Sequence, residues 1–200
     1  EDGKLVLDLY GENTWIATRC GVAQQYISNR ISARASISSS SHTLSDASVA
    51  VKVGGIFFND RYSAATGYND WAGNIYADVR LQYYSGRITA RAVIVRFNDA
   101  SGTSKTPVIL TFSQPVAFDT EYFLELEFTG TEFVFRVDDE RIVQTITSPV
   151  YATNKPDQRL EVMIFADPGE GAYVKGTFDD VCLSDACGIP LSAPNMLLLL

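Results

Sequence analysis

The sequence predicts an all-β protein, and more specifically a two-sheet antiparallel jelly-roll sandwich. Short segments rich in β-branched and aromatic residues recur along the whole chain. Residues that favour turns, namely Gly, Pro, Asn, Asp and Ser, bound each segment, and many segments alternate apolar with polar residues. Regularly spaced short strands with these turn signals are typical of sandwiches and barrels.

Alternation of apolar and polar residues marks the strands of the first half. It runs through residues 4–9, 31–37, 76–84 and 88–97, the last two being separated by a Ser85-Gly86 turn. Because successive side chains of a strand point to opposite faces, each segment should present one face to a core and the other to water.

The second half predicts a meander of antiparallel strands. Residues 122–128 and 133–137 flank the turn 129–131, and a third strand starts at Arg141 after the turn 138–140. Further strands are expected around residues 160–164 and 173–183. Residues 14–26 instead show rough helical spacing, which hints at a helix interrupted by Gly21.

Two hundred residues suffice for one sizeable core, so we expect a single jelly-roll domain over residues 1–187 and an apolar C-terminal tail over residues 188–200. The net charge of −8 argues against nucleic-acid binding and against an anionic membrane surface. No run of apolar residues is long enough for a membrane span. The chain starts at Glu1 with no leader before Leu5, which we interpret as processing after export or excision from a longer polypeptide, and we expect an extracellular or cell-surface location.

The hairpin at residues 120–138 resembles the laminin-G-like branch of the concanavalin A-like lectin/glucanase superfamily, with a strand, a Gly turn and a strand that ends in an acidic turn. Residues 176–181, Gly-Thr-Phe-Asp-Asp-Val, are similar to the closing strand of such domains. The resemblance implies a concanavalin A-like jelly roll. It leaves the function open, because the same sandwich carries lectins, adhesins, glycosidases and structural subunits.

We find no catalytic constellation in the sequence. Retaining glucanases of this superfamily carry acidic residues at alternate positions of one strand, and Glu125 and Glu127 come closest. The next such position is Thr129, however, and Leu126 stands where the glucanase motif needs Asp, so we interpret the pair as a solvated strand face. The single histidine, His42, lies in a serine tract interpreted as a flexible connector. We therefore expect that the chain is not an enzyme.

A ligand site is predicted in the loop of residues 59–74. Aromatic rings there offer flat faces for sugars, and Asn and Asp side chains offer partners for hydroxyl groups. The alternative is that the rings pin the loop onto the sandwich and the Asn and Asp residues cap its turns. The candidate ligand-binding residues are Tyr62, Tyr68, Asn69, Asp70 and Trp71.

Calcium is the one cofactor considered, because Asp and Asn oxygens are abundant near this loop and at Asp179 and Asp180, and domains similar to this one often hold such an ion. Acidic turn residues without a metal are the alternative. Of the three cysteines, Cys182 and Cys187 are close enough in sequence to form a disulfide. Cys20 bonded to one of them, or three free thiols, are the alternatives.

Three functions stay open at this point. The first is a non-catalytic secreted or cell-surface module for binding or adhesion, with carbohydrate as its partner. The second is a structural subunit of an extracellular filament or surface assembly, because the tail ends in five apolar residues, 196–200. These five residues either begin a truncated anchor or dock as an apolar segment. Docking would occur on this domain or on a neighbouring subunit, which would give a homo-oligomer. The third is a glycan-active enzyme, which the missing carboxylate spacing disfavours.

Overall fold

A computed structural model describes residues 4–11, 15–21, 28–43, 47–57, 73–99, 101–146, 159–166, 171–183, 186–187 and 195–199. These residues form strands and turns, with no helix among them. The described residues therefore include no helix that could cross a membrane. The all-β prediction is confirmed.

Fourteen strands in the described residues form two antiparallel sheets. The first sheet has the order β1-β12-β3-β8-β9-β10, with β13 beside β12. Its strands are β1 (Leu5–Tyr10), β3 (Arg30–Ile37), β8 (Tyr122–Phe128), β9 (Glu132–Val137), β10 (Glu140–Thr145), β12 (Tyr173–Leu183) and β13 (Ala186–Cys187). The second sheet has the order β14-β2-β11-β4-β5-β6-β7. Its strands are β2 (Trp15–Gly21), β4 (Ser48–Phe57), β5 (Ile75–Tyr84), β6 (Arg87–Phe97), β7 (Lys105–Thr111), β11 (Arg159–Ala166) and β14 (Asn195–Leu199).

One apolar core lies between the two sheets, built from the alternate residues of each strand that point inward. Phe133 lies at its centre, fully buried, with its ring centroid 4.9 Å from those of both Phe57 and Phe128. Phe57 belongs to the second sheet and the other two rings to the first, so this aromatic cluster joins the sheets. Aromatic pairs at such distances add to the free energy of burial.

Gly176 lets the sheets approach closely at another point of the core. A Cβ atom on this residue would lie 2.6 Å from Cγ2 of Val51 in the opposite sheet. The sequence 176–181 is therefore constrained by packing between the sheets as well as by its place in the closing strand.

The predicted meander is confirmed: β8, β9 and β10 are consecutive neighbours. The hint of a helix in residues 14–26 is wrong for residues 15–21, which form β2 between β11 and β14. Hydrogen bonding to these neighbours outweighs the local spacing of apolar residues. The serine tract is also more ordered than a flexible connector, because Ser41 donates to the Ser38 carbonyl at 2.9 Å and His42 pairs with Tyr173.

The C-terminal tail contributes an edge strand. Residues Asn195–Leu199 pair antiparallel with β2, with Leu197 opposite Ala17. The tail thus belongs, over these residues, to the second sheet.

Removal of the Phe133 ring between the two sheets should destabilise the fold strongly. We expect Phe133→Ala to lower the free energy of unfolding by about 3–5 kcal/mol, because it leaves a cavity where the two sheets meet. Urea denaturation measures this change. The half-exposed Val143 on β10 provides a control, and Val143→Ala should cost less than about 1 kcal/mol. Equal losses in the two variants would contradict the packing described above.

Candidate functional site

A group of charged side chains lies on the outer face of the second sheet. In β4, Val49, Val51 and Val53 face the core, so Lys52 and Gly54 face the other way. The same alternation in β5 turns Asp78 and Arg80 outward. The charged face, as we call it, consists of Lys52, Tyr76, Asp78, Arg80, Gln82, Arg91, Glu161 and Phe165.

Most of these polar side chains are buried, which is unusual for the outer face of a sheet. Asp78 is 0% exposed and Lys52 is 2% exposed. Glu161 is also buried, whereas Tyr76 and Arg91 are partly accessible. A buried charge is tolerated only when other groups compensate it, so the contacts of each group decide what the face can do.

Asp78 is the centre of the charged face. Its carboxylate accepts hydrogen bonds from Arg80, with Nε at 2.5 Å from Oδ1 and the Nη2 group on Oδ2. The Nζ atom of Lys52 lies 3.6 Å from Oδ2. Burial by itself raises the pKa of the Asp78 carboxyl, but the attraction of Arg80 and Lys52 outweighs it and the pKa is lowered. Asp78 is therefore ionised at neutral pH.

An aromatic ring covers both cations of this cluster. The Nζ atom of Lys52 lies 3.7 Å from the ring centroid of Phe165, and the guanidinium carbon of Arg80 lies 5.5 Å from it. Cation–π attraction strengthens when water is excluded, and Phe165 is itself buried. The ring thus helps to hold the two cations beside Asp78.

Two carboxylates flank a glycine on this face. Gly54 of β4 is the register partner of both Asp78 on β5 and Glu161 on β11. The Cα atoms of Asp78 and Glu161 are therefore separated by two strand spacings, about 10 Å. A Cβ atom at residue 54 would lie 2.4 Å from the Ala77 carbonyl oxygen and 2.6 Å from Cβ of Asp78. Glycine is thus required between the carboxylates.

Tyr76 lies close to both carboxylates. Burial, followed by the negative charges of Asp78 and Glu161, raises the pKa of the Tyr76 phenol well above its ordinary value. The hydroxyl oxygen is buried, yet it makes no hydrogen bond of acceptable geometry among the described residues. The Nε atom of Arg91 is likewise buried and makes no hydrogen bond among the described residues, although Nη1 of the same side chain donates to Oε1 of Gln82 at 3.4 Å.

This arrangement combines features of a reactive site. Ionisable groups with shifted pKa values cluster around Gly54, and two buried polar atoms near them make no hydrogen bond among the described residues. Two carboxylates on one face of a sheet, here on the strands either side of β4, are the kind of groups that hydrolysis of a glycosidic bond requires.

The predicted ligand loop joins this end of the sheet, although its five candidate residues, Tyr62, Tyr68, Asn69, Asp70 and Trp71, lie outside the described residues. The loop leaves β4 at Phe57, three residues after Gly54. It returns at Gly73, whose N–H donates to the Phe97 carbonyl at 2.9 Å, five residues before Asp78. Its sugar-binding role stays a prediction.

Asp179 and Asp180, the candidate calcium ligands, lie at a β-bulge of β12 in the first sheet. Asp179 pairs with Lys4 at 3.5 Å and Asp180 with Arg34 at 3.8 Å. Glu121 bridges the same two cations, at 2.6 Å from Lys4 and 3.9 Å from Arg34. Both aspartates are thus engaged by cations. The described residues contain no group of three or more His, Cys, Asp or Glu side chains arranged for a metal ion.

The predicted disulfide would join β12 to β13, where Cys182 and Cys187 are backbone register partners. Cys20 is a free thiol buried in the core, and burial raises its pKa. The bridge between Cys182 and Cys187 in the protein in solution stays a prediction.

Glu125, considered above as part of a solvated face, is in fact buried. Its carboxylate lies 2.6 Å from Nη2 of Arg30 and 3.7 Å from Nε of Arg136, on the outer face of the first sheet. Two arginines, rather than water, compensate its charge, and Glu125 is remote from the charged face.

Removal of the Asp78 carboxylate should change how the free energy of unfolding depends on pH in the acid range. We expect Asp78→Asn to lower the free energy of unfolding at pH 7 by about 3–5 kcal/mol, because it leaves Lys52 and Arg80 buried without their anion. The pKa of Asp78 is lower in the folded state than its ordinary value of 3.8. The stabilisation is therefore complete above that value and is lost as the pH falls below about 4 toward the folded-state pKa, so the variant and the native chain should converge there.

Urea unfolding between pH 3 and pH 7 tests this prediction. Asp139→Asn, in the exposed turn before β10, is the control and should differ from the native chain by less than about 0.5 kcal/mol at every pH. A constant gap between Asp78→Asn and the native chain down to pH 3 would contradict the assigned ion pairs.

Comparison with solved structures identifies enzymes that share this fold. A family 16 glycoside hydrolase from a Bacteroides ovatus mixed-linkage glucan locus, in complex with its product, matches with a TM-score of 0.51 and 7% identity over 89% of this chain and 94% of that chain. The laminarinase of Flavobacterium sp. UMI-01 matches with a TM-score of 0.52 and 15% identity over 90% and 77% of the two chains. LamAcat of Zobellia galactanivorans matches with a TM-score of 0.51 and 11% identity over 90% and 76%. No protein-family model matches the sequence, and no curated protein matches it significantly.

These structures contradict the expectation that the chain is not an enzyme, because most of the similar structures are glycoside hydrolases. That expectation came from the absence of two suitably spaced carboxylates on one strand, at Glu125 and Glu127. Asp78 and Glu161 could not be found in this way, since they are on different strands and meet only through the register with Gly54. The signal available in the sequence was the unusual run of polar side chains at alternate positions of β5, which we interpreted as a wet face.

At these identities the likeness establishes the fold. The resemblance to concanavalin A-like jelly rolls stated from the sequence agrees with the structure, which has two antiparallel sheets. It also agrees with the matched structures, which cover most of this chain. The chain is a jelly-roll sandwich of the concanavalin A-like type.

Proposed function

We propose that this chain is a glycan-active enzyme of the glycoside hydrolase type, with its site on the charged face of the second sheet. The observation that carries the proposal is the register that places Asp78 and Glu161 on either side of Gly54. The fold supports it, because glycoside hydrolases use the same sandwich.

The two carboxylates receive different tasks in this proposal. Arg80 and Lys52 keep Asp78 ionised, which suits a nucleophile or a general base. Glu161 is the second carboxyl group and acts as the general acid. Side chains that start about 10 Å apart can bring their carboxyl groups to the separations of about 5–9.5 Å used by retaining and inverting hydrolases.

The partly accessible members of the charged face meet the glycan first. The guanidinium of Arg91 offers N–H donors to sugar hydroxyls, whereas the buried hydroxyl of Tyr76 stays beside the carboxylates. Trp71, Tyr62 and Tyr68, on the loop that joins this end of the sheet, supply flat faces for the sugar rings, with Asn69 and Asp70 as hydroxyl partners. The glycan is thus proposed to run from the loop over the outer face of β4 and β5 beside Gly54.

The remaining expectations stay part of the proposal. A glycan partner fits an extracellular or cell-surface protein. A calcium ion near Asp179 and Asp180 would stabilise the first sheet, and a melting temperature that a chelator leaves unchanged would contradict it. The structural-subunit alternative, with a homo-oligomer or filament linked through the tail, stays a prediction.

Hydrolysis of polysaccharides tests the proposal directly. We expect the native chain to release reducing ends from at least one member of a panel of mixed-linkage β-glucan, β-1,3-glucan and mucin glycans. Glu161→Gln should lower kcat at least about 100-fold, because it removes a group that transfers a proton in the transition state. Asp78→Asn should do the same, measured per folded molecule, with folding checked by circular dichroism.

Glu125→Gln is the matched control for these variants. Glu125 is buried like Glu161 and ion-paired like Asp78, but it lies on the other sheet. This variant should keep the kcat of the native chain. Full activity in Glu161→Gln, or binding of glycans by the native chain without release of reducing ends, would overturn the proposal. Trp71→Ala should raise KM more than it lowers kcat, and an unchanged KM would remove the loop from the site.

A further inference from the structure

Three aromatic rings form a row on the outer face of the first sheet, on the opposite side of the molecule from the charged face. Tyr10 and Tyr173 are register partners on β1 and β12, and their ring centroids lie 4.6 Å apart. His42 pairs with Tyr173 through reciprocal backbone hydrogen bonds of 2.8 and 2.9 Å, and its ring centroid lies 5.8 Å from that of Tyr173. We refer to these three residues as the aromatic row.

The row faces solvent rather than the core. Leu9 and Val174, the chain neighbours of Tyr10 and Tyr173, are buried between the sheets, so the two tyrosines point outward. Tyr10 is 71% exposed, the largest exposed fraction among the large hydrophobic side chains of the described residues. An aromatic ring held at this exposure gains little free energy from burial. Its contribution to folding is limited to the cross-strand contact with Tyr173.

Backbone pairing fixes the positions of the three rings. Tyr10, Tyr173 and His42 belong to three neighbouring backbone segments, which places their rings in line across the strands over about two strand spacings, or 10 Å. The segment that carries His42 is ordered by the serine tract, in which Ser38 accepts a hydrogen bond from Ser41. The row is therefore preorganised, and a ligand would not have to order it.

The polar groups around the row suit hydroxyl-bearing ligands. Nδ1 of His42 lies 2.9 Å from the Ser40 carbonyl oxygen, which can only accept, so Nδ1 carries the proton. In the neutral ring Nε2 is then an acceptor. The exposed pair Asp8 and Lys175 comes next along the same two strands and adds a carboxylate and an ammonium group on the same face.

We propose that the aromatic row is a second carbohydrate-binding surface, which stacks a pyranose ring of an extended glycan chain on Tyr10 and does not take part in hydrolysis. Neighbouring rings of the row are tilted against one another by 36° and 41° and contact each other, so the free aromatic face is that of Tyr10 on the edge strand β1. This face matches the flat face of a sugar, while His42, Asp8 and Lys175 meet the hydroxyl groups at the sugar edges. The surface stands independently of the proposed hydrolytic site, since it is on the other sheet.

Affinity electrophoresis in gels containing mixed-linkage β-glucan, and separately β-1,3-glucan, tests the surface. Tyr10→Ala should weaken the retardation about tenfold in apparent affinity in the gel that retards the native chain, because it removes the most exposed ring. Tyr10→Trp should retain binding, since it keeps a flat aromatic face. Val143→Ala, on the far edge strand of the same sheet, should bind like the native chain.

The outcomes separate this surface from the proposed hydrolytic site. Glu161→Gln should still be retarded, whereas Tyr10→Ala should keep its kcat on short soluble oligosaccharides. Absence of retardation for the native chain in both gels, or equal retardation of the native chain and Tyr10→Ala, would overturn the second surface. Neither result depends on whether Asp78 and Glu161 hydrolyse glycans.

Discussion

The ion-paired carboxylate of Asp78 is the constraint on which the second sheet depends. Residues of β4 and β5 alternate between the apolar core and the charged face, and the outer set is buried almost as deeply as the inner set. Burial of Lys52 and Arg80 would be costly without an anion, and the lone carboxylate would be costly without its cations. The ring of Phe165 and the glycine at position 54 complete the arrangement, one by covering the cations and the other by leaving room beside the carboxylate. The outer face of the second sheet thus combines these buried charges with a small apolar cluster of Ala17, Ala50, Met163 and Phe165.

Deeply buried ion pairs of this kind contribute little net stability to a folded protein. Replacement by apolar residues of equal volume is often neutral or favourable in other proteins, so stability alone does not account for such a cluster. The cluster also contains a second carboxylate and two buried polar atoms with no hydrogen bond among the described residues, which is why we place the proposed site there. The outer face of the first sheet offers the contrast. Glu125 there lies between Arg30 and Arg136, with no second carboxylate opposite it on the described strand beyond.

The fold could be predicted from the sequence because its signals are local. Alternation in residues 122–137, for example, identifies a hairpin with its core face, and the structure confirms both. The site could not be predicted in the same way. Asp78 and Glu161 are more than 80 residues apart in the chain, and only the pairing of β4 with β5 and β11 brings them to one glycine. The strand β2 shows the same limit, because sheet neighbours that are distant in sequence override its local helical spacing. The motif at Glu125 was visible because it lies on one strand, and for that reason it drew attention to the first sheet.

The edge position of β14 has a consequence for self-association. The five backbone partners that β2 offers to residues 195–199 are satisfied by the chain's own C-terminus. An identical segment from a second molecule could occupy the same groove with the same register, which is the geometry of a domain swap. Covalent attachment gives the chain's own segment a high effective concentration, so it competes well at low protein concentration. The opposite edge, β7, carries Pro107, which has no N–H to donate to an incoming strand. The two edges of the second sheet therefore differ: β14 occupies a place that an identical strand could also fill, whereas β7 lacks one N–H donor at Pro107.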